Sequence, residues 1–128
     1  MTNTDIVKLA YSNVATGNIP GVLDVFDPDI EWNECKGMPF VKGDGLYTGP
    51  DAVVSNVFMN LPVFFDGFNI AVTEIFGADD KVVMVGYYEG TNKATGKPFK
   101  ANATHVWTVK NGKLVRFFQA VDTAAIIG

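Results

Sequence analysis

Hydrophobic and polar positions recur with a helical period in the first part of the chain. Residues 4–16 predict a helix whose apolar residues lie on one face, and Gly17 stands where the C-terminal cap of this helix belongs. A second, shorter helix is predicted around Pro20 and a third from Pro50, because the missing N–H of proline costs nothing in the first turn of a helix. Pro62 is predicted to end the third helix.

The segments on either side of the third helix predict strands and a loop. Residues 30–36 are expected to form a short strand, and the glycine-rich residues 37–49 a loop that contains one short strand at 45–48. Residues 64–76 predict a longer strand that ends at a turn beginning with Gly77.

Three consecutive antiparallel strands are predicted in the last part of the chain, at residues 81–90, 99–109 and 113–121. Asn111-Gly112 joins the last two and is a strong hairpin signal, because both residues of such a turn must accept positive φ. Residues 91–98 join the first two and carry almost no apolar side chain, so a mobile hairpin tip is predicted there.

Both faces of these three strands carry large apolar side chains, whereas a sheet with one wet face alternates apolar and polar residues. The sheet is therefore predicted to be covered on both sides. The face assigned to an internal pocket holds Val83, Val85, Tyr87, Thr104, Val106, Phe117, Gln119 and Val121. The face assigned to a partner surface holds Val82, Met84, Tyr88, His105, Trp107 and Phe118. A single bulge in residues 99–109 would instead bring His105 and Trp107 to the pocket side.

Composition and charge narrow the function classes. The 128 residues fit one domain, 1–128, that can bury a core without disulfides, and the single Cys35 excludes an internal disulfide. A net charge of −4 with scattered Lys and Arg argues against nucleic acid as a partner. No apolar run approaches the length of a membrane span, and the first residues do not resemble a secretory signal, so a cytoplasmic location is expected.

Helices followed by strands favour an α+β protein with helices packed on one face of an antiparallel sheet. The chain also resembles the nuclear transport factor 2-like superfamily, which includes the ketosteroid isomerases and the SnoaL-like polyketide cyclases. The motifs that carry this resemblance extend over nearly the whole chain in the order typical of that superfamily: Gly17-Asn18-Ile19, residues 26–32, residues 47–53, Thr95-Gly96-Lys97, and residues 111–115 before a strand that ends in Asp122.

The resemblance implies a cone-shaped, cystatin-like fold. Three helices from the N-terminal half would cover the concave face of a curved antiparallel sheet of four to six strands, and the convex face would pair with a second subunit. Two functions stay open: a cofactor-independent isomerase- or cyclase-like enzyme acting on a hydrophobic carbonyl or polycyclic substrate, and a non-catalytic module that binds a small hydrophobic ligand. A structural dimer with a vestigial cavity is a third hypothesis, since such folds host many unrelated activities.

Glu34 is the candidate for proton transfer. It shares one strand face with Ile30 and Trp32, so its carboxyl is expected to point toward apolar surroundings. Burial would raise its pKa toward neutral pH and make it a better general base. The resemblance places Glu34 where a ketosteroid isomerase has its catalytic base. The alternative is a strand that ends near residue 33 and leaves Glu34 as a solvated loop acid.

The rest of the isomerase apparatus is not matched. A ketosteroid isomerase pairs a tyrosine of the first helix with an aspartic acid of the penultimate strand, and the matching places here hold Ala10 and Thr104. His105 is the second catalytic candidate, because SnoaL-like cyclases use a histidine and an aspartate on the last two strands. Gln119 in place of the aspartate cannot transfer a proton as a carboxylate does.

The remaining candidate site residues are expected to line a small-molecule pocket, which is typically apolar with a few convergent polar groups. No spacing of His, Cys, Asp or Glu matches a metal motif, and neither a cofactor nor a metal is expected. The predicted ligand-binding residues are Trp32, Phe58, Tyr87, Thr104 and Gln119.

Overall fold

The helices lie mainly in the first half of the chain. The computed structural model describes all residues from 1 to 128. Its α-helices are α1 (Asn3–Ala15), α2 (Ile19–Leu23), α3 (Pro50–Asn56), α4 (Leu61–Phe64) and α5 (Thr123–Ile127), with a 3-10 turn at Phe58–Asn60. Pro62 does not end the third helix as predicted; it lies in the first turn of the separate α4. The short α5 was not predicted. None of the helices has the length and hydropathy of a membrane-crossing segment.

Six strands form one sheet in the order β2-β1-β6-β5-β4-β3. They are β1 (Phe26–Asn33), β2 (Leu46–Thr48), β3 (Phe65–Ala78), β4 (Lys81–Asn92), β5 (Lys97–Lys110) and β6 (Lys113–Val121). The predicted α+β class and the antiparallel strand succession are confirmed. The contact between β1 and β6 is the exception to the antiparallel pattern, since these two strands run parallel.

The two long hairpins differ in how well the sequence predicted them. Asn111 and Gly112 have φ values of 52° and 75°, so the predicted tight turn is confirmed. The β4–β5 connection is shorter than the predicted loop of residues 91–98, because the strands extend to Asn92 and from Lys97. Asn92 is buried, and its Nδ2 donates a hydrogen bond of 3.1 Å to the carbonyl of Ile126 in α5. This end of the hairpin is therefore tied to the C-terminal helix.

A register shift in β6 decides which side chains face the core. An uninterrupted hairpin from the Asn111-Gly112 turn would pair Val106 with Phe117. The structure instead pairs Thr108 with Arg116 and Val109 with Leu114, which leaves Val115 unpaired as a bulge. From there on, Trp107 is opposite Phe117 and His105 is opposite Gln119. Because Val115 is the one extra residue in β6, the side chains of β5 and β4 that share a face with Phe117 and Gln119 are the opposite set from the one that an uninterrupted hairpin would give.

The prediction of which side chains face the cavity is consequently wrong for β4 and β5. It is right for Phe117, Phe118 and Gln119 of β6. The inner face, which the helices cover, holds the buried Val82, Met84, Tyr88, His105, Trp107, Phe117 and Gln119. The outer face holds Val83, Val85, Tyr87, Thr104, Val106 and Phe118. Tyr88, His105 and Trp107 are thus core residues and not a partner surface.

Candidate functional site

A cavity of about 310 Å³ lies between the inner face of the sheet and the helices. Side chains of α1 and α2, of the segment from Val57 to Pro62, and of all the long strands line it. The lining is mainly aromatic and aliphatic, and its polar members are few. Those members are Tyr11, Trp32, Glu34, Tyr88, His105, Trp107 and Gln119.

Glu34 lies at the wall of this cavity, one residue beyond the end of β1. Its backbone N–H donates a 2.8 Å hydrogen bond to the carbonyl of Gly45, which continues the pairing of β1 toward β2. Gly45 has φ +75°, and a Cβ there would lie 2.4 Å from the Glu34 carbonyl oxygen, so glycine is required at this position. The residue is therefore held by backbone pairing and is not a solvated loop acid.

Glu34 is only 3% exposed. The indole Nε1 of Trp32, two residues earlier on the same strand face, donates a 2.9 Å hydrogen bond to its Oε1. Burial raises the pKa of Glu34 from its ordinary value of 4.5 to about 7, against the smaller, opposite effects of Trp32 and Gln119. Near neutral pH this carboxyl can therefore either accept or donate a proton.

Aromatic stacking fixes the part of the wall next to Glu34. The rings of Trp32 and Phe117 stack with centroids 3.8 Å apart across the parallel β1–β6 pair. Phe58 meets Trp32 edge-on at 5.6 Å, and Trp107 packs on Phe117 at 4.6 Å. Because these rings interlock, the orientation of the Trp32 indole, and with it the Glu34 carboxyl, is restricted.

A chain of hydrogen bonds crosses the cavity wall from α1 to β6. Trp107 Nε1 donates to Tyr11 Oη at 2.9 Å, and Tyr11 Oη lies 2.6 Å from His105 Nδ1. His105 Nε2 lies 2.5 Å from Tyr88 Oη, which donates to Gln119 Oε1 at 2.5 Å. Both ring nitrogens of the buried histidine are thus occupied by tyrosine hydroxyls.

The histidine in this chain is neutral. Burial lowers the pKa of His105 from 6.5 to about 3. Burial likewise raises the pKa of both Tyr11 and Tyr88, so the two hydroxyls keep their protons. The five groups therefore form an uncharged network, and His105 is a hydrogen-bonding link at neutral pH. No group of three or more His, Cys, Asp or Glu side chains is placed to hold a metal ion.

The predicted site residues divide into two sets. Trp32, Glu34, Phe58, His105 and Gln119 line the cavity. Tyr87 and Thr104 do not, because the bulge at Val115 puts them on the outer face, where Lys100 Nζ lies 4.4 Å from the centre of the Tyr87 ring.

Three polar cavity residues were missed. Strand alternation without a bulge predicts Tyr88 and Trp107 on the outer face, away from the cavity. Tyr11 follows Ala10, the position that matches the tyrosine of the isomerases, and is not among the predicted site residues. The alternative of a bulge in residues 99–109 pointed to His105 and Trp107. The bulge lies instead at Val115 of β6, and it also places Tyr88 on the cavity side.

An α+β cone with a mostly apolar cavity between its sheet and its helices defines a class of small pocket-containing proteins. The model of the SnoaL-like domain matches residues 7–117, and the chain belongs to this family, within the nuclear transport factor 2-like superfamily. Proteins of this family commonly act as small-molecule binding or isomerase-type domains. A comparison with curated proteins gives no significant match.

Solved structures of similar proteins cover nearly the entire chain. An NTF2-like protein from Burkholderia thailandensis E264 is 35% identical, with a TM-score of 0.91 over 98% of this chain and 94% of its own. An NTF2-like protein of unknown function from Burkholderia pseudomallei K96243 is 28% identical, with a TM-score of 0.85 over 97% and 94%. TerC, co-crystallised with polyporic acid, is 26% identical, with a TM-score of 0.84 over 96% and 93%.

Proposed function

We propose that this protein is a cofactor-independent enzyme that moves a proton on a hydrophobic carbonyl or polycyclic substrate, with Glu34 as its acid–base group. The observation that carries the proposal is Glu34, a residue 3% exposed at the wall of an apolar cavity, whose carboxyl pKa is raised to about 7. A general acid–base group works best when its pKa lies near the working pH. The aromatic lining suits a flat, apolar substrate.

The proposed step needs no external reactant. The Glu34 carboxylate takes a proton from a carbon next to the substrate carbonyl, and the electron pair of the broken C–H bond moves to the carbonyl oxygen to give an enolate. Protonated Glu34 then returns the proton to the same carbon or to another carbon of the conjugated system. The second outcome is an isomerisation, and the carboxylate is regenerated in both.

Hydrogen–deuterium exchange next to a ketone tests this step without knowledge of the natural substrate. We expect the protein to accelerate exchange of the α-hydrogens of 2-tetralone in D2O, measured by NMR against a protein-free sample. Glu34→Gln should lower the rate by about 10²–10⁴-fold, because the base is lost while the shape is kept. The rate should rise with pH through about 7, as the Glu34 carboxyl ionises. Glu74→Gln, at an exposed position of β3, is the matched control and should leave the rate unchanged.

A non-catalytic binding module is the second candidate function, and the mainly apolar cavity favours it. Co-crystallisation of the related TerC with polyporic acid supports binding of an organic molecule by either candidate. Saturable binding of 2-tetralone without accelerated exchange, equal in wild type and in Glu34→Gln, would favour the module over the enzyme.

We further propose a homodimer through the outer face of the sheet. Phe118, Val106, Val83 and Phe76 are directly paired across β6, β5, β4 and β3 and so form one apolar row. Phe118 and Phe76 are 47% and 49% exposed. An apolar patch of this kind on an open sheet is typical of an interaction surface, and a two-fold axis lets one patch serve both subunits. This row keeps Phe118 from the predicted partner surface and replaces its other members, which are buried in the core.

A further inference from the structure

One hydrogen-bond donor in the cavity wall has no partner. Gln119 is 4% exposed, and its Nε2 is the only buried side-chain nitrogen or oxygen atom without a hydrogen bond. Burying such a group unpaired is costly, so an unsatisfied donor at a cavity indicates a group that is completed by a ligand. Gln119 reaches this position from β6, in the wall that it shares with Glu34.

The observed orientation of the Gln119 amide agrees with a single direction for the whole hydrogen-bond chain. Trp107 Nε1 can only donate, so Tyr11 Oη accepts from it and gives its own proton to His105 Nδ1. The neutral imidazole then carries its proton on Nε2 and donates it to Tyr88 Oη. Tyr88 has one proton left to give, and it goes to Gln119 Oε1.

Reversing this chain would move one of the two unpaired protons from Gln119 to the Tyr11 hydroxyl. If the Gln119 amide were turned, its Nε2 would donate to Tyr88, Tyr88 would donate to His105, and His105 would donate to Tyr11. The Tyr11 oxygen would then accept from both His105 and Trp107, and its own proton would have no acceptor among the observed contacts. In the observed direction the amide has Oε1 toward Tyr88, and both protons without an acceptor lie on Gln119 Nε2, at the cavity.

We propose that Gln119 Nε2 is the substrate-binding donor for a carbonyl or enolate oxygen, and that Trp107, Tyr11, His105 and Tyr88 are positioning residues that keep this amide in its donating orientation. The proposal rests on the proposed function only in placing the ligand in this cavity; ligand binding through Gln119 does not require turnover. It assigns the ligand a hydrogen-bond-accepting oxygen, since an N–H group cannot accept a bond from a ligand hydroxyl or amine.

The other cavity donors are already in use, which leaves this role to Gln119. The Trp32 indole donates to Glu34, the Trp107 indole donates to Tyr11, and the two tyrosine hydroxyls and the imidazole are committed within the chain. The Gln119 amide also lowers the pKa of Glu34, although Nε2 makes no hydrogen bond of normal geometry to that carboxyl. The N–H donor of Gln119 and the proposed base Glu34 are therefore neighbours in one wall of the cavity.

A matched pair of probes tests the assignment: 2-tetralone, which has a carbonyl oxygen, and tetralin, the same two-ring skeleton without it. Affinities are measured by calorimetry at about pH 9, two units above the Glu34 pKa of about 7, where the carboxylate cannot donate. We expect wild type to bind the ketone about tenfold more tightly than the hydrocarbon, the value of one net hydrogen bond.

Two variants separate donation from general packing. Gln119→Met keeps the length and removes the donor, so the preference for 2-tetralone should fall to about one while the tetralin affinity stays near the wild-type value. Tyr88→Phe removes only the hydroxyl that orients the amide, and should reduce the preference for 2-tetralone without abolishing the binding of tetralin. A change in the ratio of the two affinities is not expected from a purely structural role.

The infrared carbonyl frequency of bound 2-tetralone provides a measurement on the wild-type protein itself. A shift to lower frequency relative to an apolar solvent, lost in Gln119→Met, is the expected result. An unshifted band in wild type, or a preference for the ketone that persists in Gln119→Met, would overturn the proposal. A preference that depends on Gln119 in a protein that shows no α-hydrogen exchange would support this inference while refuting the proposed enzyme.

Discussion

Replacing Glu34 with Gln should raise the free energy of unfolding relative to wild type. This gain should be larger at pH 8 than at pH 4. The folded state keeps the Glu34 proton up to a pKa of about 7, whereas the unfolded chain releases it near 4.5. Between these values the folded state binds more protons, so the free energy of unfolding of wild type falls as pH rises. This destabilisation of wild type by the buried Glu34 carboxyl is absent below about pH 4.5 and complete above about pH 7.

The magnitude follows from the pKa difference. The rise of the Glu34 pKa from 4.5 to about 7, at roughly 1.4 kcal/mol for each pH unit between these values, gives about 3–4 kcal/mol. Glutamine does not titrate, and its amide oxygen can still accept the 2.9 Å hydrogen bond from Trp32 Nε1. We therefore expect the variant to gain about 3–4 kcal/mol in free energy of unfolding over wild type between pH 4 and pH 8.

Urea unfolding of both proteins at a series of pH values measures this difference. The buried His105, whose pKa of about 3 makes the fold less stable as pH falls below 6.5, affects both proteins equally and cancels in the comparison. Glu74→Gln, at an exposed position, should give a curve parallel to wild type. If the Glu34→Gln curve is also parallel to wild type, the carboxyl is solvated and the reasoning about its raised pKa is wrong.

Two further predictions concern the interior and the outer face. Tyr11→Phe should lower the free energy of unfolding by about 2–4 kcal/mol, because it leaves Trp107 Nε1 and His105 Nδ1 buried without partners. Urea unfolding measures this loss. The control Tyr47→Phe, at a half-buried tyrosine of β2, should change the free energy of unfolding little. Phe118→Lys should convert a dimeric wild type into a monomer in sedimentation experiments, since it puts a charge into the apolar row, whereas Ser55→Lys on α3 should remain dimeric. A monomeric wild type would contradict the dimer.

The local signals in the sequence were strong wherever one or two residues determine the geometry. Asn111-Gly112 predicted the turn because few other pairs accept two positive φ values, and the helix face of residues 4–16 predicted α1. The side of the sheet that each strand presents was not determined in this way. It depends on Val115, an ordinary β-branched residue whose unpaired position is visible only in the register of β5 and β6.

Glu34 could be predicted as a cavity residue because Trp32 and Glu34 share a strand face with Ile30 and a family pattern agrees. The hydrogen-bond chain could not be predicted. It joins Tyr11 of α1 to His105, which is 94 positions away in the sequence, and the distances in such a chain depend on how the helix lies across the sheet. Which partner each polar group finds is a property of the packed structure, and the sequence shows only that several such groups exist.

The parallel pairing of β1 with β6 has a consequence for how the protein folds. Glu31 and Arg116, which bond across this pair, are 85 positions apart in the chain, and Trp32 stacks on Phe117 at the same separation. Closing so long a loop costs entropy before any contact compensates for it, so this seam is expected to form late and slowly compared with the β3–β4–β5 hairpins. During synthesis, the wall that holds Glu34 and Gln119 cannot form until the final strand has left the ribosome. Until then Trp32 and its neighbours lack their partner strand, which makes this seam the part of the nascent chain most exposed to mispairing.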